Sequence, residues 1–180
     1  SVGGILPAIG GNIRVGQSET FLTEACEYTN SFLSFFPTLG IILNMDADHL
    51  DFFKDIDDIR HSFRKFAELL PADGALIINA DTPKYEMVAE NLPCKVITYG
   101  LEHDAEYTAS DITYDEFGHP TFHVLHNGED IGICSLKVPG IHNVSNALAS
   151  IAAGRLLNLD NEVIFAGLKD FGGTDRRFQY

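Results

Sequence analysis

The chain has 180 residues, 45% of them hydrophobic, which suffices to bury one substantial core and leaves room for no more than a small appendage. Its 12 Lys+Arg against 26 Asp+Glu give a net charge of −14 with the basic residues scattered, a surface that repels nucleic acid and anionic lipid. No run approaches the roughly 20 apolar residues of a membrane span, no signal-peptide pattern opens the chain, and Cys26, Cys94 and Cys134 form neither a disulfide framework nor a C-x-x-C zinc pair, so the sequence reads as cytoplasmic.

Short apolar runs bounded by turn residues recur along the first hundred positions: "TFLTEA" (20–25), "LGIILNM" (39–45), "GALIINA" (74–80) and "CKVITYG" (94–100). Near-continuous hydrophobicity of this kind predicts central strands of a parallel sheet covered on both faces. Between the second and third runs, Ile56, Ile59, Phe63, Phe66 and Leu70 fall at helical spacing behind Asp55, a natural N-cap, and Pro71 and Gly74 stop the helix. A second, shorter helix is predicted over 81–92. Alternating strand and helix predicts an α/β fold with a mostly parallel sheet flanked by helices and right-handed crossovers.

From Tyr107 to Val138 the period changes to two, with Asn127-Gly128 as a hairpin signal, which predicts a small antiparallel β-sheet near residues 107–138. Two helices follow, over 143–159 and 161–171, and "GGTDRRFQY" reads as a connector.

Four clusters carry candidate chemistry. "NMDADHLD" (44–51) sits where a parallel strand delivers residues to its carboxyl end, the usual ligand edge of such a sheet. Its aspartates offer hard oxygens for Mg²⁺ and His49 adds a nitrogen, although the same residues also suit a helix-capping turn. Glu24 ends the preceding apolar run and would reach the same edge, while Glu27 also reads as surface charge. In "VPGIHNVSNALA", His142, Asn143 and Asn146 open a helix; an amide side chain both donates and accepts, as the edge of adenine requires, and equally caps a helix. Arg176 and Arg177 suit a bidentate phosphate clamp or a solvated charge pair. No G-x-x-x-x-G-K-[ST] occurs, so these residues contain no phosphate-cradling P-loop.

Taken in order, "TEACEYTNSFLSFFPTLGIILNMDADHLDFF", "PGIHNVSNALA" and "GTDRRF" resemble the Mur ligases over nearly the whole chain. That resemblance implies an ATP-dependent acid–amino acid ligase of peptidoglycan synthesis, acting on UDP-N-acetylmuramate and L-alanine through an acyl phosphate. It implies Mg²⁺ on Glu24 and His49, adenine against His142, Asn143 and Asn146, and ATP phosphate at Arg177. Residues 1–172 would be the central ATP-binding domain without its P-loop, and 173–180 the start of the connector to a C-terminal domain. Such a piece would be inactive alone. Where the family usually reads "EADES", this chain has "EACEY". A folylpolyglutamate or other Mur-type ligase, and a metal-dependent phosphoesterase built on Asp46, Asp48, His49 and Glu24, are the alternatives.

Overall fold

The computed structural model describes residues 1–174. Its sheet has six strands in sequence order: β1 (Leu39–Ile42), β2 (Ala75–Asn79), β3 (Lys95–Tyr99), β4 (Tyr107–Tyr114), β5 (Pro120–His126) and β6 (Glu129–Ser135). β1 through β4 run parallel, and β4, β5 and β6 run antiparallel. The antiparallel strands lie where the two-residue period places them, but they are not a separate sheet. Tyr99 of β3 pairs with Tyr107 of β4 and makes one continuous surface. Asn127 (φ 52°) and Gly128 (φ 82°) form the two-residue turn between β5 and β6, with both residues left-handed as a type I′ turn requires.

Helix α1 (Ile56–Ala67) begins where Asp55 caps it, Oδ1 accepting from the amides of Asp57 and Asp58 at 3.1 and 2.9 Å. Asp57 and Asp58 in its first turn and Arg64 and Lys65 in its last suit the helix dipole. Its Phe66 stacks on Phe32 at 4.9 Å and joins Ile42, Leu70, Leu76 and Ile78 in a core on one face of the sheet. On the other face, Ile77, Ile97, Tyr99, Phe122 and Val124 pack under α3 (Ile141–Leu156), against Val144, Leu148 and Ile151. β2 therefore sends Leu76 and Ile78 one way and Ile77 the other, all fully buried, which is why its sequence is a continuous apolar run. Burial of each such side chain is worth about 1.5–3 kcal/mol. α4 (Asn161–Asp170) crosses α3 at Gly154, where an added Cβ would meet Ile164 at 2.8 Å.

Two predicted elements differ. Residues 20–25 are not a strand: the amide of Glu24 donates to the Ser1 carbonyl (2.9 Å) and the Ser1 ammonium to that of Leu22 (2.7 Å), with Phe21 79% and Leu22 70% exposed. A strand needs a ladder along its length, and two bonds to one residue are not a ladder. The helix predicted over 81–92 shrinks to α2 (Glu86–Ala89), because Lys84 takes φ 61° and the Asp81 side chain is engaged elsewhere. Among the described residues, no helix is long and apolar enough to cross a membrane.

Candidate functional site at the carboxyl edge of the sheet

The carboxyl ends of β1, β2 and β3 are tied together before the chain reaches "NMDADHLD". The Tyr99 hydroxyl donates to the carbonyls of Ile42 (3.3 Å) and Leu43 (3.2 Å), and the Asn79 amide donates to Leu43 at 3.1 Å. Asp81, just past β2, accepts from the backbone amides of Leu101 (2.6 Å), Glu102 (3.1 Å) and His103 (2.9 Å), and its carboxylate meets His103 Nδ1 at 3.0 Å. Burial alone would raise the Asp81 pKa, but these bonds hold it below the ordinary carboxylate value.

Beyond β1 the aspartates shape a tight turn. Asp46 Oδ2 accepts from the Asn44 side chain (2.9 Å), Asp48 Oδ1 accepts from the amide of His49 (2.7 Å), and the amides of Phe52 and Phe53 both donate to the His49 carbonyl at 2.9 Å. Met45 and Phe53 are buried and pin the turn to the core. His49 itself sits at φ 53°, a left-handed conformation that costs a non-glycine residue of order 1–3 kcal/mol and concentrates at functional sites.

The structure sets Glu27, not Glu24, against this histidine. His49 Nε2 stands 3.6 Å from Glu27 Oε1, both side chains about one-third exposed. Glu24 instead accepts the Gly3 amide at 2.6 Å. The reason is local: the segment after Glu24 is an irregular 3-10 turn with Thr29 (φ 55°) and Asn30 (φ 58°) left-handed, so the alternation of a strand does not decide which way its side chains face. Ser31 Oγ donates to the carbonyls of Cys26 (2.9 Å) and Tyr28 (3.1 Å), Ser62 bonds Asn30, and buried Phe32 anchors the turn on α1. Tyr28, which no sequence motif singles out, lies over the imidazole with ring centroids 4.7 Å apart and donates its hydroxyl to Asp51 Oδ2 at 2.8 Å. That bond and the Asp51 charge push the Tyr28 pKa above its ordinary value.

The adenine candidates open α3 near the carboxyl end of β4. Gly140 precedes α3 at φ 96°, its amide donates to the carbonyl of Gly118 beyond β4 (3.3 Å), and at the far end Arg155 Nε donates to the Tyr107 hydroxyl (3.2 Å) at the start of β4. α3 thus runs antiparallel to β4, with His142, Asn143 and Asn146 at the carboxyl end of β4, a strand that begins level with the last residue of β3. One Asn143 amide proton braces the preceding turn through the Pro139 carbonyl (2.8 Å), while Asn146 is exposed one turn further on. The His142 ring packs over Gly140, where an added Cβ would lie 2.8 Å from it. Arg176 and Arg177 lie outside the described residues.

Glu27 Oε1 and His49 Nε2 stand side by side at this edge, 3.6 Å apart. Among the described residues no three His, Cys, Asp or Glu gather as a metal centre. Two protein ligands suit Mg²⁺, which keeps several waters and binds through one or two protein groups plus substrate phosphates.

Comparison with known proteins finds relatives along the whole chain. The model of the Mur ligase middle domain matches residues 7–154. A UDP-N-acetylmuramate--L-alanine ligase from Lachnospira eligens is 59% identical over 180 residues, covering 99% of this chain and 39% of the relative. Another from Agathobacter rectalis is 55% identical, covering 100% of this chain and 39% of the relative. Among solved structures, UDP-N-acetylmuramate-alanine ligase MurC of Thermotoga maritima superposes with TM-score 0.82 at 28% identity, over 98% of this chain and 39% of that one. UDP-N-acetylmuramate:L-alanyl-gamma-D-glutamyl-meso-diaminopimelate ligase of Neisseria meningitides gives TM-score 0.83 at 26% identity, over 97% and 57%. The chain spans about two fifths of the length of the curated relatives it matches.

Proposed function

The chain belongs to the Mur ligase family, its residues 7–154 being the family's middle domain, and from that premise we propose that it is the nucleotide-binding part of a cytoplasmic ligase that joins L-alanine to UDP-N-acetylmuramate in peptidoglycan synthesis. The observation that carries the substrate assignment is 59% identity along the whole chain to a relative named for that reaction. The geometry that carries the chemistry is the His49–Glu27 pair at the carboxyl edge of β1.

In the proposed reaction the substrate carboxylate takes the γ-phosphoryl group of ATP, releasing ADP, and the alanine amine then displaces phosphate from the acyl phosphate. Transfer of this kind depends on positioning and charge neutralisation rather than covalent help from the protein. Glu27 and His49 hold Mg²⁺, whose charge offsets that of the phosphates in an otherwise acidic domain. Glu24, the residue the family resemblance assigns to the metal, holds the Gly3 amide and steadies the segment before the turn. His142 and Asn146 contact the base, with Asn143 fixing the turn that presents them. Arg177, in the connector 173–180 that follows domain 1–172, takes up phosphate charge.

The phosphoesterase alternative requires several ligands around two ions, and the described residues bring no such group together, which favours the ligase reading. The reading is tested by expressing the complete open reading frame and following phosphate release. Release that requires both UDP-N-acetylmuramate and L-alanine, falling at least about a hundredfold in Glu27→Gln and His49→Ala, is the expected outcome. Release that ignores L-alanine would contradict it. The 180-residue chain alone, which contains no P-loop sequence, is expected to turn over no ATP.

A further inference from the structure

We propose that the notch beside the free edge of β3 binds a small zwitterion of the peptide class, a free amino acid or dipeptide, with its carboxylate on Arg155 and Tyr107 and its ammonium on Glu106. The notch lies roughly 20 Å along α3 from His142, and the proposal does not rest on the ligase reading.

The notch follows from the strand register. β3 pairs with β2 at all five of its residues but with β4 only at Tyr99, opposite Tyr107. Residues 95–98 of β3 therefore have no strand partner, among the described residues, on the side away from β2. Such an edge presents backbone N–H and C=O groups to whatever lies beside it. The last turn of α3 and the start of α4 wall the other side. The result is a groove of about 890 Å³, within the range of roughly 300–1,000 Å³ usual for small-ligand sites.

Basic residues are scarce in this chain, 12 against 26 acidic ones, yet Lys95 and Arg155 both line the groove. Arg155 is held in place: Nε donates to the Tyr107 hydroxyl (3.2 Å), Nη1 donates to Asn161 Oδ1 (2.7 Å), and the Asn161 amide is fixed in turn on the Ile131 carbonyl (3.2 Å). Those bonds leave Nη2 without a partner among the described residues, and they leave the Tyr107 hydroxyl proton without an acceptor there. Burial raises the pKa of that hydroxyl, so it stays a donor. Two open donors on groups that already touch suit one carboxylate, whose two oxygens can take both.

Glu106 supplies the opposite charge on the same wall. Its amide donates to Thr98 Oγ1 (3.0 Å), its Oε1 meets His126 Nε2 at 3.1 Å and Lys95 Nζ at 3.9 Å, and its Oε2 has no partner among the described residues. A simple anion would meet Glu106 and the exposed Asp160 and Glu162 in this groove, and a simple cation would meet Arg155 and Lys95. A ligand with both charges answers both, and a peptide group between them matches the N–H and C=O groups of the β3 edge.

Nuclear magnetic resonance of the ¹⁵N-labelled 180-residue chain separates the two halves of the site. Three probes are titrated at pH 7: glycylglycine with both charges, N-acetylglycine with the carboxylate alone, and glycinamide with the ammonium alone. Saturable shifts are expected with glycylglycine at the amides of Val96, Thr98, Tyr107 and Asn161, and at least about tenfold weaker binding of the other two probes. Arg155→Gln should weaken glycylglycine and N-acetylglycine about tenfold and leave glycinamide unchanged; Glu106→Gln should weaken glycylglycine and glycinamide and leave N-acetylglycine unchanged. Circular dichroism checks the fold of each variant. If Arg155→Gln does not fold, Tyr107→Phe, which keeps the ring and removes the second carboxylate donor, takes its place. No saturable shift with glycylglycine would overturn the proposal, as would equal binding of all three probes or an affinity for glycylglycine unchanged in either variant. None of these results bears on the ligase reading, which turnover by the complete open reading frame decides.

Discussion

The hydroxyl of Tyr99, at the end of β3, donates to the carbonyl of Leu43, 56 residues earlier and one position past β1. Leu43 has no ladder partner there, so the bond ties the end of β3, across β2, to the point where the chain leaves β1 for His49. Burial pushes the Tyr99 pKa far above its ordinary value, so the hydroxyl is a permanent donor at any working pH.

Tyr99→Phe keeps the ring volume and removes that donor, leaving Leu43 with only the Asn79 amide among the two side chains that grip it. The expected cost is about 1–2 kcal/mol in urea denaturation, because the buried Ile42 carbonyl loses the same donor. Amide exchange of residues 44–50 should quicken more than that of β2. A variant as stable as the parent, with unchanged exchange, would show that Asn79 alone holds the edge.

Asp81 gives the chain an acid-sensitive tie. Its folded pKa lies below the unfolded value, so it stabilises the fold above about pH 4, and that contribution disappears as pH falls through the folded pKa. Asp81→Asn replaces one acceptor with a donor facing amides of the turn at 101–103, at a cost of about 1–3 kcal/mol near neutrality. The difference between variant and parent should shrink in denaturation curves taken below pH 3. A difference that stays constant with pH would mean that the charge is irrelevant and shape alone matters.

The three cysteines should separate by access. Cys26 is exposed, whereas Cys94 and Cys134 are buried, and burial pushes the Cys134 thiol up to about 11. At pH 8 a disulfide reagent should modify one thiol quickly in the folded chain and three in denaturant, because reaction requires an accessible thiolate. Fast modification of two would place Cys94 or Cys134 at the surface.

Much of the scaffold is legible in the sequence because its signals are local. Asp55 precedes a helical apolar pattern and caps α1, Asn127-Gly128 turns β5 into β6, and the apolar run 74–80 is a strand covered on both faces. The position of His49 follows in the same way, from a parallel strand and what comes after it. That Glu27 rather than Glu24 lies beside His49 was not legible. It depends on a 3-10 turn with two successive left-handed residues, Thr29 and Asn30, neither a glycine, in a segment that contacts Ser62 and Phe66 of α1. Tyr99 and Asp81 were missed for a related reason: their partners lie 56 and about 20 residues away, and no spacing rule connects them. Tyr28 became visible only once the turn had brought it over the imidazole.

The central claim is that Glu27, with His49, holds the cation at the carboxyl edge of β1. Electron paramagnetic resonance of Mn²⁺ titrated into the chain and its Glu24→Gln, Glu27→Gln and His49→Ala variants tests it most directly, because the two glutamates lie three positions apart and differ only in what they face. The account predicts bound Mn²⁺ in the parent and in Glu24→Gln, and at least about tenfold weaker binding in Glu27→Gln and His49→Ala. Binding lost in Glu24→Gln and kept in Glu27→Gln would contradict it.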